Sequence, residues 1–234
     1  MVEIPTLVDN ETFTEIFDKV IDNAQDGIVI VEVGLFVGGS ICYMSQKLQE
    51  KGVKHTIIGI DNFKFKTMHA SDIDKYSHGL SPYIAYNNNI RKAKAKVMTY
   101  IGDSIEISKL FKDNVIDFLF LDGDHSKEYV VKEMLAWLPK MKENSMIAGH
   151  DFQDSEGVQL GCKLVLKKFC TTSTKSSYYK TIGEGIMPRK DKEEKRGERR
   201  QRKEGGSKIG LRFMLWLFRG WGYLQALIKR FTGG

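Results

Sequence analysis

Cysteine is scarce: the chain holds three, Cys42, Cys162 and Cys170, with no C-x-x-C spacing. An odd count without that spacing argues against a disulfide framework or a cysteine-based zinc site, and it fits reduced thiols in a cytoplasmic protein. Long apolar runs are missing as well. No stretch reaches the roughly 18 residues that a membrane span requires. Residues 1–10 show no basic segment followed by an apolar one, the order a secretion signal needs. Absent too is the G-x-G-x-x-G fingerprint of dinucleotide-binding folds, which argues against a nucleotide-dependent oxidoreductase. There is no internal repeat.

What is present divides unevenly. Residues 189–234 carry 14 basic and 5 acidic side chains, a balance of +9, so residues 1–188 stand at −3 within a total of +6. A slightly acidic body offers no nucleic-acid face. The expected organisation is one α/β domain over residues 1–188, a charged linker over 189–209 and a basic amphipathic tail over 210–234.

Within the body, apolar β-branched runs alternate with helical periodicity. Residues 27–34 (GIVIVEVG), 55–61 (HTIIGID), 97–101, 116–121 (IDFLFL) and 145–148 (SMIA) predict five buried parallel strands. Residues 38–40 open a helix whose inner face is Ile41, Met44 and Leu48. Ser126 is placed to cap a second helix, with Val130, Val131, Met134, Leu135 and Leu138 inward and Pro139 at its end. A third helix is expected over residues 158–169, and residues 178–187 have room for two short strands. Residues 62–95 are long for one crossover, so a substrate-facing loop or lid is expected before its helix. Together these predict a Rossmann-like, doubly wound, mostly parallel seven-stranded sheet with helices on both faces. Ligands of such sheets bind beyond the carboxyl ends of the strands. Glu32, Asp61, Asp103, Asp122, Asp124, His150 and Asp151 all fall at or just past predicted strand ends.

The segment EVGLFVGGS, Glu32 to Ser40, is a strand, a glycine turn and a helix start. Gly34 and Gly38 let backbone approach a ligand, and the helix start favours a carboxylate there. Asp61, at the next strand end, can accept two hydrogen bonds from ribose hydroxyls. Asp103 and Ser104, one strand further, can border an adenine. His55, His69 and His78 lack such context and read as surface residues.

Residues 26–152 resemble class I SAM-dependent methyltransferases. Within these they are similar to the group containing macrocin-type and other sugar O-methyltransferases and the cephalosporin-biosynthesis methyltransferase-like proteins. VEVGLFVGGS, IIGIDNF, YIGDS and the run from Ile116 to Phe152 carry the likeness. It implies S-adenosylmethionine (SAM) as cofactor, with Glu32, Gly34, Gly38, Ser40, Asp61, Asp103, Ser104 and Asp122 around it. The acceptor would be a hydroxyl of a sugar, glycan precursor or related small molecule.

Methyl transfer to an alcohol needs an aligned acceptor oxygen, a base and stabilisation of the developing alkoxide. Asp122 and Asp151, at neighbouring strand ends, can share a divalent ion, with His150 as a further ligand. The resemblance implies Mg²⁺, held by the Asp that opens the D-G-x-H-like motif and an acidic pair after the next strand. His150 departs from that pair. Two bases are in reach: Asp124 and His125, the imidazole needing less tuning at neutral pH. Residues 210–231, with two tryptophans and no acid, admit peripheral membrane contact, docking on the domain or on a second copy in a homo-oligomer, or no role. A catalytically degenerate SAM-binding or membrane-tethered scaffold is the alternative to an enzyme.

Overall fold

The computed structural model describes residues 11–65 and 70–183. The proposed linker over 189–209, the tail over 210–234, the last residues of the 178–187 segment and His69 lie outside the described residues.

Seven strands form one sheet: β1 (Ile28–Val33), β2 (His55–Asp61), β3 (Met98–Ile101), β4 (Ile116–Leu121), β5 (Met141–Gly149), β6 (Cys170–Thr171) and β7 (Tyr178–Thr181). Their order is β3-β2-β1-β4-β5-β7-β6. The first five pair in parallel, and β7 runs antiparallel to β5 and β6. The chain reverses its winding between β1 and β4, which puts the switch point of the sheet beside those two strands.

Alternation within the strands supplies two cores. Ile30, Ile57, Phe118 and Phe120 face one layer, built by α1 (Glu11–Asn23), α2 (Gly39–Glu50) and α4 (Pro82–Ala93). Val31, Val33, Ile58, Ile60, Leu119 and Leu121 face the other, built by α5 (Ser104–Ser108), α6 (Lys127–Trp137) and α7 (Glu156–Gly161). Trp137 is fully buried in this second core. Trp137→Ala is therefore expected to lower stability by about 3–5 kcal/mol, measured by denaturant unfolding.

Several elements differ from expectation. Helix α1 was not anticipated, although Phe13, Ile16, Phe17, Val20 and Ile21 carry helical spacing and are all buried. The crossover over 62–95 holds two helices, α3 (Ala70–Ser77) and α4. Strand β5 starts four residues early; exposed Glu143 and Asn144 and a register shift opposite Ile116 and Phe118 hide its beginning. The helix expected over 158–169 is α7 followed by a π turn, Cys162–Leu166. The inward face of α6 is Val130, Glu133, Met134 and Trp137, with Val131 and Leu135 at its edge. The C-terminal hairpin pairs β7 with β6, because the turn-forming polar run lies upstream, where Thr172 and Ser177 bond across it. No helix among the described residues is long and apolar enough to cross a membrane.

Candidate active site

A cleft of about 1140 Å³ opens at the carboxyl edge of the sheet. Its walls come from the turns after β1 to β5, so the acids and histidines at the predicted strand ends do meet there, with one exception. Glu32 is 2% exposed and reaches the cleft through the hydroxyl of Ser40, which donates to it. Burial pushes the Glu32 carboxyl up to about 8, against the opposing Ser40 bond and with the nearby charges of Asp122 and Asp61 adding to the rise.

The glycine turn is required by close approach. Gly34 has φ 86°, and a Cβ there would clash with the carbonyl oxygen of Asp122. The β1 and β4 turns therefore touch. Gly38 caps α2 in a left-handed conformation with no side-chain cap, and Gly38, Gly39 and Ser40 at that helix start line the cleft.

Asp61 does more than the sequence suggests. Its Oδ2 accepts the N–H groups of Leu35 and Phe36, at 2.7 and 3.0 Å, and its Oδ1 accepts that of Phe63 at 2.6 Å. Phe36 and Phe63 both sit at positive φ, 48° and 52°, so this carboxylate holds two loops in otherwise unfavourable conformations. Of about four acceptor positions on a carboxylate, three are taken, leaving about one for a ligand hydroxyl where two were expected.

At the next turn, Asp103 caps α5 by accepting the Glu106 N–H at 3.0 Å and accepts the Tyr129 hydroxyl at 2.8 Å. Ser104 donates to Glu133, a 2%-exposed carboxyl on α6 that also lines the cleft. Burial pushes Glu133 up to about 7, opposed by the Ser104 bond. Glu133 was missed because a charged residue inside a helix reads as solvated. Its position between Val130 and Trp137, on the apolar face, was the available signal.

The catalytic end gathers on Asp151. His125 Nε2 lies 3.0 Å from Asp151 Oδ2 and 3.9 Å from Asp122 Oδ1. His150 Nδ1 lies 3.2 Å from Asp151 Oδ1 and 4.0 Å from Asp122 Oδ1. Asp151 itself has φ 54°, a left-handed turn that aims its carboxylate between the two imidazoles. Burial works to raise the Asp151 pKa, but the hydrogen bonds from His125 and His150 prevail and hold it well below the usual carboxylate range. Burial likewise disfavours charged His150, yet the Asp151 bond and the carboxylate charges leave its pKa raised.

The grouping differs from the expected Asp122, His150 and Asp151. Ligand atoms of Asp122, His125 and Asp151 can all lie within 4.8 Å of one another. His150 is 5% exposed and also holds Nδ1 near both carboxylates, while its Nε2 is buried with no hydrogen-bond partner among the described residues. Asp124 is exposed, and its Oδ1 accepts the Ser126 N–H at 2.7 Å, so it shapes the turn while His125 faces the acids.

Residues 31–152, just over half of the chain, match the family model described as a methyltransferase domain. The chain belongs to this family, the class I SAM-dependent methyltransferases. A curated relative, an uncharacterized protein of Acanthamoeba polyphaga mimivirus, is 26% identical over 134 residues, 56% of this chain and 54% of the relative. The chain thus spans about half the length of that relative. Among solved structures, cofactor-bound Rv0187 from MTB superposes with a TM-score of 0.56 at 11% identity, covering 77% of this chain and 83% of that one. An O-methyltransferase from Bacillus cereus in complex with SAH gives 0.50 at 15% identity, covering 76% and 84%. At these identities the likeness concerns the fold.

The methyltransferase cleft fits its cofactor. The α2 N-terminus offers N–H groups to a carboxylate, Asp61 keeps an acceptor for a ribose hydroxyl, and Asp103 and Ser104 line the adjoining wall. The donor set also fits a divalent cation. Among the described residues, Asp61, Asp103, Asp122, Asp124 and Asp151 line the cleft, with the Glu133 pKa at about 7, against Lys64 and the protonated His125. That excess of negative charge suits a sulfonium and a metal ion.

Asp122 and Asp151 push the His125 pKa up from 6.5 to about 10. Because the folded value lies above the ordinary one, the stabilisation is complete below pH 6.5 and is lost as pH rises toward 10. In the presence of a chelator, the protein is expected to lose thermal stability from pH 7 to 10, and His125→Ala to flatten that slope, as read by Tm against pH.

Proposed function

We propose that this methyltransferase is an O-methyltransferase that moves the methyl group of SAM to a hydroxyl of a sugar, glycan precursor or related small molecule, assisted by a divalent metal such as Mg²⁺. The observation that carries this reading is the meeting of Asp122, His125 and Asp151 in the cleft that also holds the cofactor-side turns. Asp122 and Asp151 would hold the ion, and His150, bonded to Asp151 Oδ1, fixes the orientation of that carboxylate. When bound, the ion would supply charge that acidifies an acceptor hydroxyl. It would also offset the two carboxylates that keep His125 protonated. In its neutral form His125, whose Nε2 lies 3.0 Å from Asp151, would accept the hydroxyl proton at that nitrogen. Asp124 holds the turn that presents it.

Calorimetry with SAM and with NAD, each with and without Mg²⁺, tests the cofactor. A panel of polyols and nucleotide sugars tests the acceptor. The expected result is SAM binding without NAD binding, and methylation of a vicinal diol that stops on chelation. Failure to bind SAM would remove the proposal. Metal affinity is further expected to rise with pH between 7 and 10, as His125 gives up its proton, with proton release seen in buffers of different ionisation enthalpy.

A further inference from the structure

Tyr129 and Glu133 are four residues apart on α6 and so share one helix face. From that face they reach two consecutive residues after β3. The Tyr129 hydroxyl donates to Asp103 Oδ2, and Glu133 Oε1 accepts from the Ser104 hydroxyl. All four residues line the cleft, and Ser104 and Glu133 are 4% and 2% exposed. A buried carboxyl costs desolvation that an apolar side chain at the same helix position would avoid. The same carboxyl packs against Gly123: a Cβ on that glycine would lie 3.7 and 3.8 Å from its two oxygens. Helix α6 begins immediately after the Asp122–His125 turn, so one rigid element borders that turn and grips the wall beyond β3.

We propose that Tyr129 and Glu133 are positioning residues for the nucleoside end of the cofactor, holding Asp103 and Ser104 in the geometry that selects adenine. This rests on the reading that Asp103 and Ser104 border the adenine. Nucleobase recognition is then set from α6, across the sheet edge, and not from the β3 turn alone.

The test uses the full chain, with S-adenosylhomocysteine and its inosine-bearing counterpart as calorimetric probes. The native protein is expected to prefer the adenine ligand. Glu133→Ala and Tyr129→Phe should each shrink that preference by about tenfold, the worth of one hydrogen bond. Glu133→Gln, which keeps an acceptor for Ser104, should restore most of it. A purely structural role would change Tm and leave the ratio of the two affinities alone. Should Glu133→Ala fail to fold, Tyr129→Phe, which removes a single hydroxyl, decides. An unchanged ratio in the folded variants, or a native protein that binds both ligands equally, overturns the proposal. A native protein that binds neither ligand overturns the cofactor reading instead.

Discussion

Under the proposed metal-assisted mechanism, Asp122→Ala is expected to lower methyl transfer at saturating SAM by about a thousandfold, because it removes one of the two carboxylates that would hold the ion beside the developing alkoxide. Asp122 lies 3.9 Å from His125 and 4.0 Å from His150, with its side chain 32% exposed to the cleft. Asp124 and Asp103 each accept a backbone N–H that shapes a turn or caps a helix, whereas Asp122 faces the two imidazoles, so its loss should act on turnover more than on folding. Single-turnover rates, with SAM affinity measured in parallel, separate the two. A variant that keeps native turnover would sink the metal-assisted mechanism. Asp122→Asn keeps the shape and removes the charge, and it should fall nearly as far.

Gly34→Ala is expected to destabilise the protein by about 4 kcal/mol or more, a size reserved for changes the fold cannot absorb. The new Cβ would collide with the Asp122 carbonyl group, and it would sit at φ 86°. Neither conflict can be relieved by a rotamer, because both partners are backbone. Gly27→Ala and Gly52→Ala provide the control. Both glycines have positive φ, 89° and 73°, but a Cβ at either would meet nothing within 4 Å. Each should cost only about 1 kcal/mol of left-handed strain. Denaturant midpoints of the three variants therefore divide conformational strain from collision. Equal losses would show that the β1 and β4 turns are not held together as described.

The sequence was sufficient for the layers and for the edge that carries the site. Runs such as GIVIVEVG and IDFLFL are apolar on both faces, and only a parallel sheet covered on both sides buries them. Acids at successive strand ends then share one edge by topology. The faces of the helices were less legible. The charged Glu133 turned the apparent stripe of α6 toward Val131 and Leu135, whereas burial follows Glu133 and Trp137.

What the tertiary structure alone decided is which of the gathered groups face each other. Asp122, Asp124, His125, His150 and Asp151 are all near one another in sequence pattern, but pairing depends on backbone turns a few residues long. Asp124 captures the Ser126 N–H and so turns His125 toward the acids. Asp151 adopts φ 54°, conformational strain that no propensity forecasts, and this sets its carboxylate between His125 and His150. Asp61 accepts the Phe63 N–H within its own turn, but the N–H groups of Leu35 and Phe36 lie beside it only once β1 and β2 are paired. Local pattern determines where a strand ends. The direction in which a side chain leaves that end depends on the turn geometry and on contacts between turns distant in sequence, such as Asp61 with Leu35 and His125 with Asp151, and these exist only in the folded chain.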